Sequence, residues 1–409
     1  MPAASSQGAA GSLCSHGRLG PGTLYAMPEL PEVETIARDL RGLVTGARIT
    51  GASSNWPRTI RSHEPEAFGR AVAGREVEGV GRRGKQLLVW LGPGPRDPEP
   101  AVVTVHLKMT GQLFVVDPAT PVDGHVHLTL PLVDGREIRF RDIRKFGRVG
   151  LYRRDRATGL PVEGEAPNVL AAGAEPLDDE LTARRFGEML AKRRGRLKTL
   201  LMNQDFLAGV GNIYADEALW RSRLHPLRDA RSLRPEDARR LHKALRDVLA
   251  EAVERRGSSV DDYTAPQGDG SMQEHLQVYQ RAGEPCERCG RRIKRIVVGG
   301  RSTHFCSWCQ RLPKGHPAGA AGTAGASAGK KPLRRGPRWT DLSGEGALGR
   351  TADEEARVRR TEANRRAAAA RRAAARRAAA RAGTTAELTG TARGATTADE
   401  AAGRMPGAR

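Results

Sequence analysis

Apolar residues first recur with helical spacing at Ile36, Leu40 and Leu43, which one helix face can carry into a core. Gly46 and the β-prone pair Ile49-Thr50 follow and predict a first strand. Strand patterns then dominate. Residues 86–91 and 101–107 are apolar runs of strand length. Val126, Leu128, Leu130 and Leu132 alternate with His127, Thr129 and Pro131; Asp134-Gly135 supplies a turn, after which Ile138 and Phe140 alternate again. This is the pattern of a half-buried hairpin, and it predicts an antiparallel β domain.

Beyond Arg153 a Gly/Pro-bearing stretch to Leu177 reads as a connection, and the period changes to helical. Residues 181–190, 197–202 and 212–223 are helix candidates. Pro235 begins a fourth, whose face is Leu241, Leu245, Val248, Leu249 and Ala252, and Gly257 stops it. The two ends of the chain have no such pattern. Residues 1–26 are Gly/Ser/Ala-rich and read as disordered or as an over-called start. From Lys314 the chain is Ala/Gly/Arg-rich, and 356–382 has helical propensity but no apolar side chain larger than Val, so it cannot build a core.

Composition sharpens this picture. The chain has 409 residues, a formal net charge of +21 and only 4% aromatic residues, so part of it is expected to be non-globular. About half of the positive excess lies after Pro313, which reads as a solvated basic arm. A pI near 10.7 calls for a polyanionic partner. No apolar run is long enough to span a bilayer, and residues 1–26 lack the basic start and apolar stretch of a secretory signal, so a cytoplasmic, nucleoid-associated protein is expected.

Of five cysteines, Cys14 stands alone and four form two C-x2-C pairs, Cys286/Cys289 and Cys306/Cys309, with sixteen residues between the pairs. That spacing matches a four-thiolate zinc site, closed and therefore structural, holding a β-hairpin.

The densest chemistry lies in Met27-Pro28-Glu29-Leu30-Pro31-Glu32-Val33-Glu34-Thr35. If Met27 initiates and is removed, Pro28 presents a secondary amine that is a usable nucleophile near neutrality. Attack on a sugar C1′ expels the base and leaves an imine that acidifies the C2′ proton, with Glu29 placed to move protons. In the plainer reading Pro28 and Pro31 only start a helix, with acids suited to its dipole. Further along, Gly209 and Gly211 allow backbone N–H groups close to a phosphate, Asn212 adds a donor at a helix start, and Arg194 and Lys198 supply charge.

Five separated motifs, in order from Met27 to about Gln310, resemble formamidopyrimidine-DNA glycosylase, the bifunctional repair enzyme for oxidised purines. They are the nonapeptide, Arg82-Arg83-Gly84-Lys85-Gln86, His106-Leu107-Lys108-Met109-Thr110-Gly111 with Asp142-Ile143-Arg144-Lys145-Phe146-Gly147, Val210-Gly211-Asn212-Ile213-Tyr214, and the cysteine pairs. Leu30 favours the purine-lesion branch over the endonuclease VIII branch, which typically carries glycine there.

The resemblance implies an α+β fold: a β-sandwich with a flanking helix (27–155), a linker (156–180), a helix-two-turns-helix DNA-binding domain (181–258), a lesion-capping loop and zinc-ribbon hairpin (259–312), and a disordered tail (313–409). It implies excision of 8-oxoguanine and formamidopyrimidines from damaged double-stranded DNA by a monomer with one structural zinc ion, through a Schiff base on Pro28 and β,δ-elimination. Lys85 would approach the reacting nucleotide, Met109 would fill the gap left by the flipped base, Arg144 would pair with the orphaned base and Phe146 would wedge a step. Arg301 would grip the phosphates flanking the lesion.

Two departures stand out. Asp123 occupies the place of a DNA-contacting histidine, where an acid repels phosphate, and the capping loop lacks the expected aromatic residue. Two rival readings remain open: a catalytically silent damage-binding protein, if residues 1–26 stay attached, and a zinc-ribbon RNA-binding protein.

Overall fold

A computed structural model describes residues 27–258 and 270–313 of the chain. The expectations for residues 1–26, for most of the capping loop and for the basic tail lie outside the described residues.

Helix α1 spans Leu30–Val44 and is followed by a short helix α2, Pro65–Val72. Seven strands come next: β1 (Val77–Arg83), β2 (Gln86–Leu91), β3 (Ala101–His106), β4 (Gly111–Val116), β5 (Val126–Pro131), β6 (Glu137–Asp142) and β7 (Arg148–Arg153). They form two antiparallel sheets, ordered β1-β2-β3-β7 and β4-β6-β5. One core lies between the sheets. Val80, Leu87, Val103 and Val149 of the first meet Leu113, Leu128, Ile138 and Phe140 of the second, with Val33, Ile36 and Leu40 of α1 closing one side. Period-two alternation forces this arrangement, because each strand can bury only one face against the opposite sheet.

The predicted strand at Ile49-Thr50 reduces to isolated bridges from Arg48 to Glu76 and from Ile49 to Leu132. Two β-prone residues are too few to sustain a ladder. In the other direction, β1 carried no readable strand signal because two of its positions are glycines packed under an indole. A Cβ on Gly81 would stand 2.8 Å from Trp90.

The connection after β7 contains α3 (Pro167–Leu170), and its Ala166 and Val169 cover Leu88 and Val102 on the outer face of the larger sheet. The helical part follows as α4 (Ala183–Ala191), α5 (Leu197–Leu201), α6 (Asn212–Arg221) and α7 (Pro235–Glu254). Its core takes Leu245, Val248 and Leu249 from α7, Ile213, Tyr214 and Ala218 from α6, and Leu30 from α1. Helix α1 therefore belongs to both cores: its first residue is buried among the helices and its later turns in the sandwich.

The last elements are the strands β8 (Lys294–Val298) and β9 (Arg301–Phe305), an antiparallel hairpin joined through Gly299-Gly300, both at positive φ. Two adjacent acids of α6 anchor it and the segment before it. Asp216 accepts the backbone N–H of His304 at 2.9 Å and an ammonium hydrogen bond from Lys198 at 2.5 Å. Glu217 accepts the successive N–H groups of Gln277, Val278 and Tyr279, each at 2.9 Å.

Lys198 and Asp216 are both buried, so removing one leaves the other charge uncompensated in low dielectric. Asp216→Ala should cost about 3–5 kcal/mol of stability and loosen the hairpin. Urea unfolding together with bound-zinc analysis checks this; an unchanged midpoint would contradict it.

Candidate active site

The site grows from the start of α1. Pro28 and Glu29 are buried, and the Leu30 N–H donates to the Gly209 carbonyl at 3.0 Å, tying this segment to the loop before α6. Glu29 reaches the first turn of α6, where its carboxylate accepts the N–H groups of Gly211 (2.9 Å), Ile213 (2.9 Å) and Tyr214 (3.3 Å). These are the orphan donors and the positive dipole end that favour an anion. The sequence reading assigned this nest to a DNA phosphate. The occupant is instead the chain's own carboxylate, because α1 enters the helical core through Leu30 and delivers Glu29 there.

The glycines serve that approach. A Cβ on Gly211 would lie 2.2 Å from Glu29 Cδ, and Gly209, at φ +86°, has Leu30 at 2.7 Å from where its Cβ would be.

Burial pushes the Glu29 carboxyl up to about 7, with the Lys85 charge opposing the rise and Glu32 adding to it. Desolvation outweighs three backbone hydrogen bonds and a nearby cation. The group can therefore change protonation state at neutral pH.

Glu32, one helical turn on, accepts the Glu29 N–H (2.9 Å), the Tyr214 hydroxyl (2.6 Å), and the Ser258 N–H (2.8 Å) and hydroxyl (3.1 Å). It fastens the segment carrying Pro28 to α6 and to the residues just after α7. The sequence reading gave it no role, although the three-residue spacing of Glu29 and Glu32 is the spacing of a capping box.

Lys85 sits in the two-residue turn between β1 and β2, whose Gly84 N–H is held by Glu175 at 2.6 Å. Lys85 is half-buried there. Burial depresses its pKa, the carboxylates of Glu29 and Glu32 counter that, and Arg301 and Lys108 add to it. Pro28, Glu29, Lys85 and Arg301 thus converge from α1, the first sheet and the zinc hairpin. Arg301 itself is exposed at the start of β9.

Met109, Arg144 and Phe146 meet on two neighbouring loops. Arg144 Nη1 donates to Met109 Sδ at 3.1 Å, and its guanidinium lies 5.0 Å from the centroid of Phe146, a ring left 47% exposed. Buried Asp142 fixes both loops: it accepts from the Thr110 hydroxyl, from the Arg144 N–H at 3.2 Å and from the Gly147 N–H at 2.7 Å. Lys108 and Lys145, each one residue before a projecting side chain, hold φ values of 59° and 60°. Such conformations persist in non-glycine residues only where the surroundings enforce them.

Other predicted residues divide. Arg194 is exposed in the loop before α5, and Asn212 opens α6 with a buried Oδ1 that has no partner among the described residues. Lys198 does not reach the surface: its side chain is fully buried, with Nζ held by Asp216 and by the Asn212 carbonyl at 3.0 Å. Its reading as a phosphate contact is corrected accordingly. Asp123 accepts from Arg141 at 2.6 Å and from the His125 N–H at 2.9 Å, which makes it a loop anchor rather than a phosphate ligand.

The four thiols of Cys286, Cys289, Cys306 and Cys309 lie within 4.8 Å of one another, a donor set that fits one structural zinc ion. The Trp220 indole N–H donates to Cys286 Sγ at 3.4 Å, orienting and stabilising a thiolate there.

Gly211→Ala should drive the Glu29 carboxyl off the α6 N-terminus, costing about 1–3 kcal/mol of stability through overpacking. Displacement of a reacting group by about 1 Å should lower turnover roughly a hundredfold. Full activity in this variant would show that the seat is dispensable. Separately, Cys286→Ser should abolish zinc binding and, through the hairpin that carries Arg301, weaken DNA binding; metal analysis and binding assays read the two effects.

The comparisons agree with this geometry. Family models match in chain order: the formamidopyrimidine-DNA glycosylase N-terminal domain at residues 27–149, the formamidopyrimidine-DNA glycosylase H2TH domain at 172–264, and the zinc finger found in FPG and IleRS at 283–312. The formamidopyrimidine-DNA glycosylase of Chloroflexus aurantiacus is 46% identical over 286 residues, covering 69% of this chain and 98% of that protein. Lactococcus lactis Fpg in complex with an abasic site containing DNA is 34% identical, with a TM-score of 0.62 over 69% of this chain and 100% of that one. The FPG protein of Thermus thermophilus is 43% identical, with a TM-score of 0.60 over 69% and 98%. The chain belongs to the formamidopyrimidine-DNA glycosylase family.

Proposed function

We propose that this DNA glycosylase and AP lyase of base excision repair releases oxidised purines, 8-oxoguanine and formamidopyrimidines, by attack of the Pro28 amine on C1′ of the damaged nucleotide. The observation that carries the proposal is the Glu29 carboxyl, buried on the α6 N-terminus, covalently adjacent to Pro28 and near Lys85; burial pushes that carboxyl up to about 7. A relative from Lactococcus lactis in complex with Fapy-dG containing DNA supports the lesion class.

Bond formation between nitrogen and C1′ breaks the C1′–base bond and leaves an aminal; cleavage of the C1′–O4′ bond, with O4′ taking up a proton, then opens the sugar to an iminium ion. Loss of the C2′ proton then releases the 3′ phosphate, and a second elimination releases the 5′ phosphate. Glu29 takes and returns protons in these steps, since its protonated and ionised forms are both populated near neutrality. Lys85 holds the nucleotide's phosphate and donates a proton, and Arg301 grips the phosphates flanking the lesion and assists the second elimination. Met109 fills the gap left in the stack, Arg144 pairs with the orphaned base and Phe146 wedges the neighbouring step. Arg194 and Asn212 hold the DNA backbone without reading sequence. Zinc supplies no chemistry to the reaction; it holds the hairpin.

Duplex DNA is the partner, and the nucleoid in the cytoplasm is the proposed place of action. No helix among the described residues is long and apolar enough to cross a membrane.

An amide nitrogen has given its lone pair to the carbonyl, so the nucleophile exists only when Pro28 is N-terminal. Protein beginning at Pro28 should excise the lesion and nick an abasic duplex, whereas the 409-residue form should bind damaged DNA without nicking it. Pro28→Gly, with a primary amine, should nick more slowly. Equal nicking by the 409-residue form would overturn the mechanism and point to Lys85 as nucleophile.

A further inference from the structure

The zinc knuckle at the far end of the hairpin carries a feature that the proposed reaction does not use. Trp308, between the last two cysteines, remains 48% exposed. Arg291 Cζ lies 3.3 Å from the centroid of its ring and Arg311 Cζ lies 3.6 Å from it. Both are face-contact distances for planar groups. Two guanidinium carbons this close to one centroid cannot share a face without overlapping, so they lie on opposite faces.

The result is a stack of three planar groups with only edges left to solvent. Arg311 is fixed further by donating Nε–H to the Trp308 carbonyl at 3.3 Å. Neither guanidinium forms an ion pair with a carboxylate among the described residues. Residues 288–313 contain seven Lys and Arg and no Asp or Glu, so the charge is uncompensated locally as well.

Holding two like charges beside each other without a counter-charge is unfavourable, and stacking alone gives no reason to leave a tryptophan at the surface. Both features fit an anion that arrives from outside. The stack orders two long, flexible side chains in advance and leaves the Arg291 N–H groups and the Arg311 Nη groups without an acceptor among the described residues, and guanidinium forks match phosphate oxygens in pairs.

We propose that Arg291, Trp308 and Arg311 form a second phosphate clamp that grips duplex DNA outside the lesion pocket. The clamp is separated from Arg301 by the length of β9, five residues or roughly 15 Å at the rise of an antiparallel strand. That is far beyond hydrogen-bond reach of a single phosphate, and a DNA strand carries one phosphate per roughly 3.4 Å of helix axis, so the two sites act on different phosphates. Exposed Arg292, Lys294 and Arg295 lie in the interval. A track of cations spaced along a hairpin suits a repeating polyanion better than a single carboxylate. This inference rests on DNA being the partner.

The test is the double variant Arg291→Gln with Arg311→Gln, compared with the parent protein beginning at Pro28. Two duplexes are used, one ending within a few base pairs of the lesion and one long and undamaged. Zinc content and lesion excision on the short duplex should be unchanged. On the long duplex, binding should weaken several-fold, and the slope of log K against log salt should fall in magnitude by about 2, two phosphate contacts being lost. Trp308→Ala should reproduce the loss by releasing both guanidiniums. Should it lower zinc content, the arginine double variant, which keeps Trp308, still decides the matter.

A full salt slope on the long duplex overturns the clamp. So does unchanged DNA binding accompanied by lost retention on a polyglutamate peptide, which would make the stack a docking site for an acidic protein. Binding to undamaged DNA reads the clamp, whereas excision on the short duplex reads the reaction, so failure of one is distinguishable from failure of the other.

Discussion

The contact between the Glu29 carboxylate and the first turn of α6 joins the two halves of this molecule and sets the chemistry at their junction. A buried carboxylate accepting three backbone N–H groups at a helix N-terminus would ordinarily be held strongly ionised. Here desolvation wins, and the group is pushed up to about 7. The same seat therefore does two things that usually conflict. It locks the segment carrying Pro28 against the helical domain, and it leaves beside Pro28 a carboxyl able to change protonation state near neutrality.

Helix α6 distributes this arrangement through the rest of the structure. Its N-terminus holds Glu29, Tyr214 holds Glu32, Asp216 holds Lys198 and the hairpin strand at His304, Glu217 holds residues 277–279, and Trp220 holds a zinc ligand. In ten residues the helix holds the segment carrying Pro28, the zinc hairpin and the stretch before it; the turn carrying Lys85 is held by Glu175 instead. The loops carrying Met109 and Arg144 are organised separately by Asp142, so that group of side chains and the segment carrying Pro28 are built on different supports. Most of these anchors are buried acids, which cost desolvation but impose direction. A hydrophobic contact could replace their energy but not their geometry.

Much of this was legible in the sequence, and the failures have physical causes. The zinc site and the two-sheet core followed from spacing, alternation and the family resemblance, whereas the contact of Arg144 with Met109 appears only in the fold. The nest at Gly211 was recognised as an anion site, but a sequence does not say which anion fills it; that depends on Leu30 carrying its neighbour into the helical core. Lys198 looked like a surface cation because its partner Asp216 lies on the next helix, and only packing brings the two together. Strand β1 was hidden by glycines that exist to accommodate Trp90. Glu32 and Asp142 lie within two of the quoted motifs yet carried no role of their own there, since their importance lies in the number of distant donors they gather.

The account depends most on the identity of the nitrogen that attacks C1′. Protein beginning at Pro28 can be reduced with borohydride on an abasic duplex, digested, and the sugar-bearing peptide located by mass spectrometry. The arrangement described here predicts the adduct on the peptide that starts at Pro28 and contains Glu29. An adduct on the peptide containing Lys85 would contradict it.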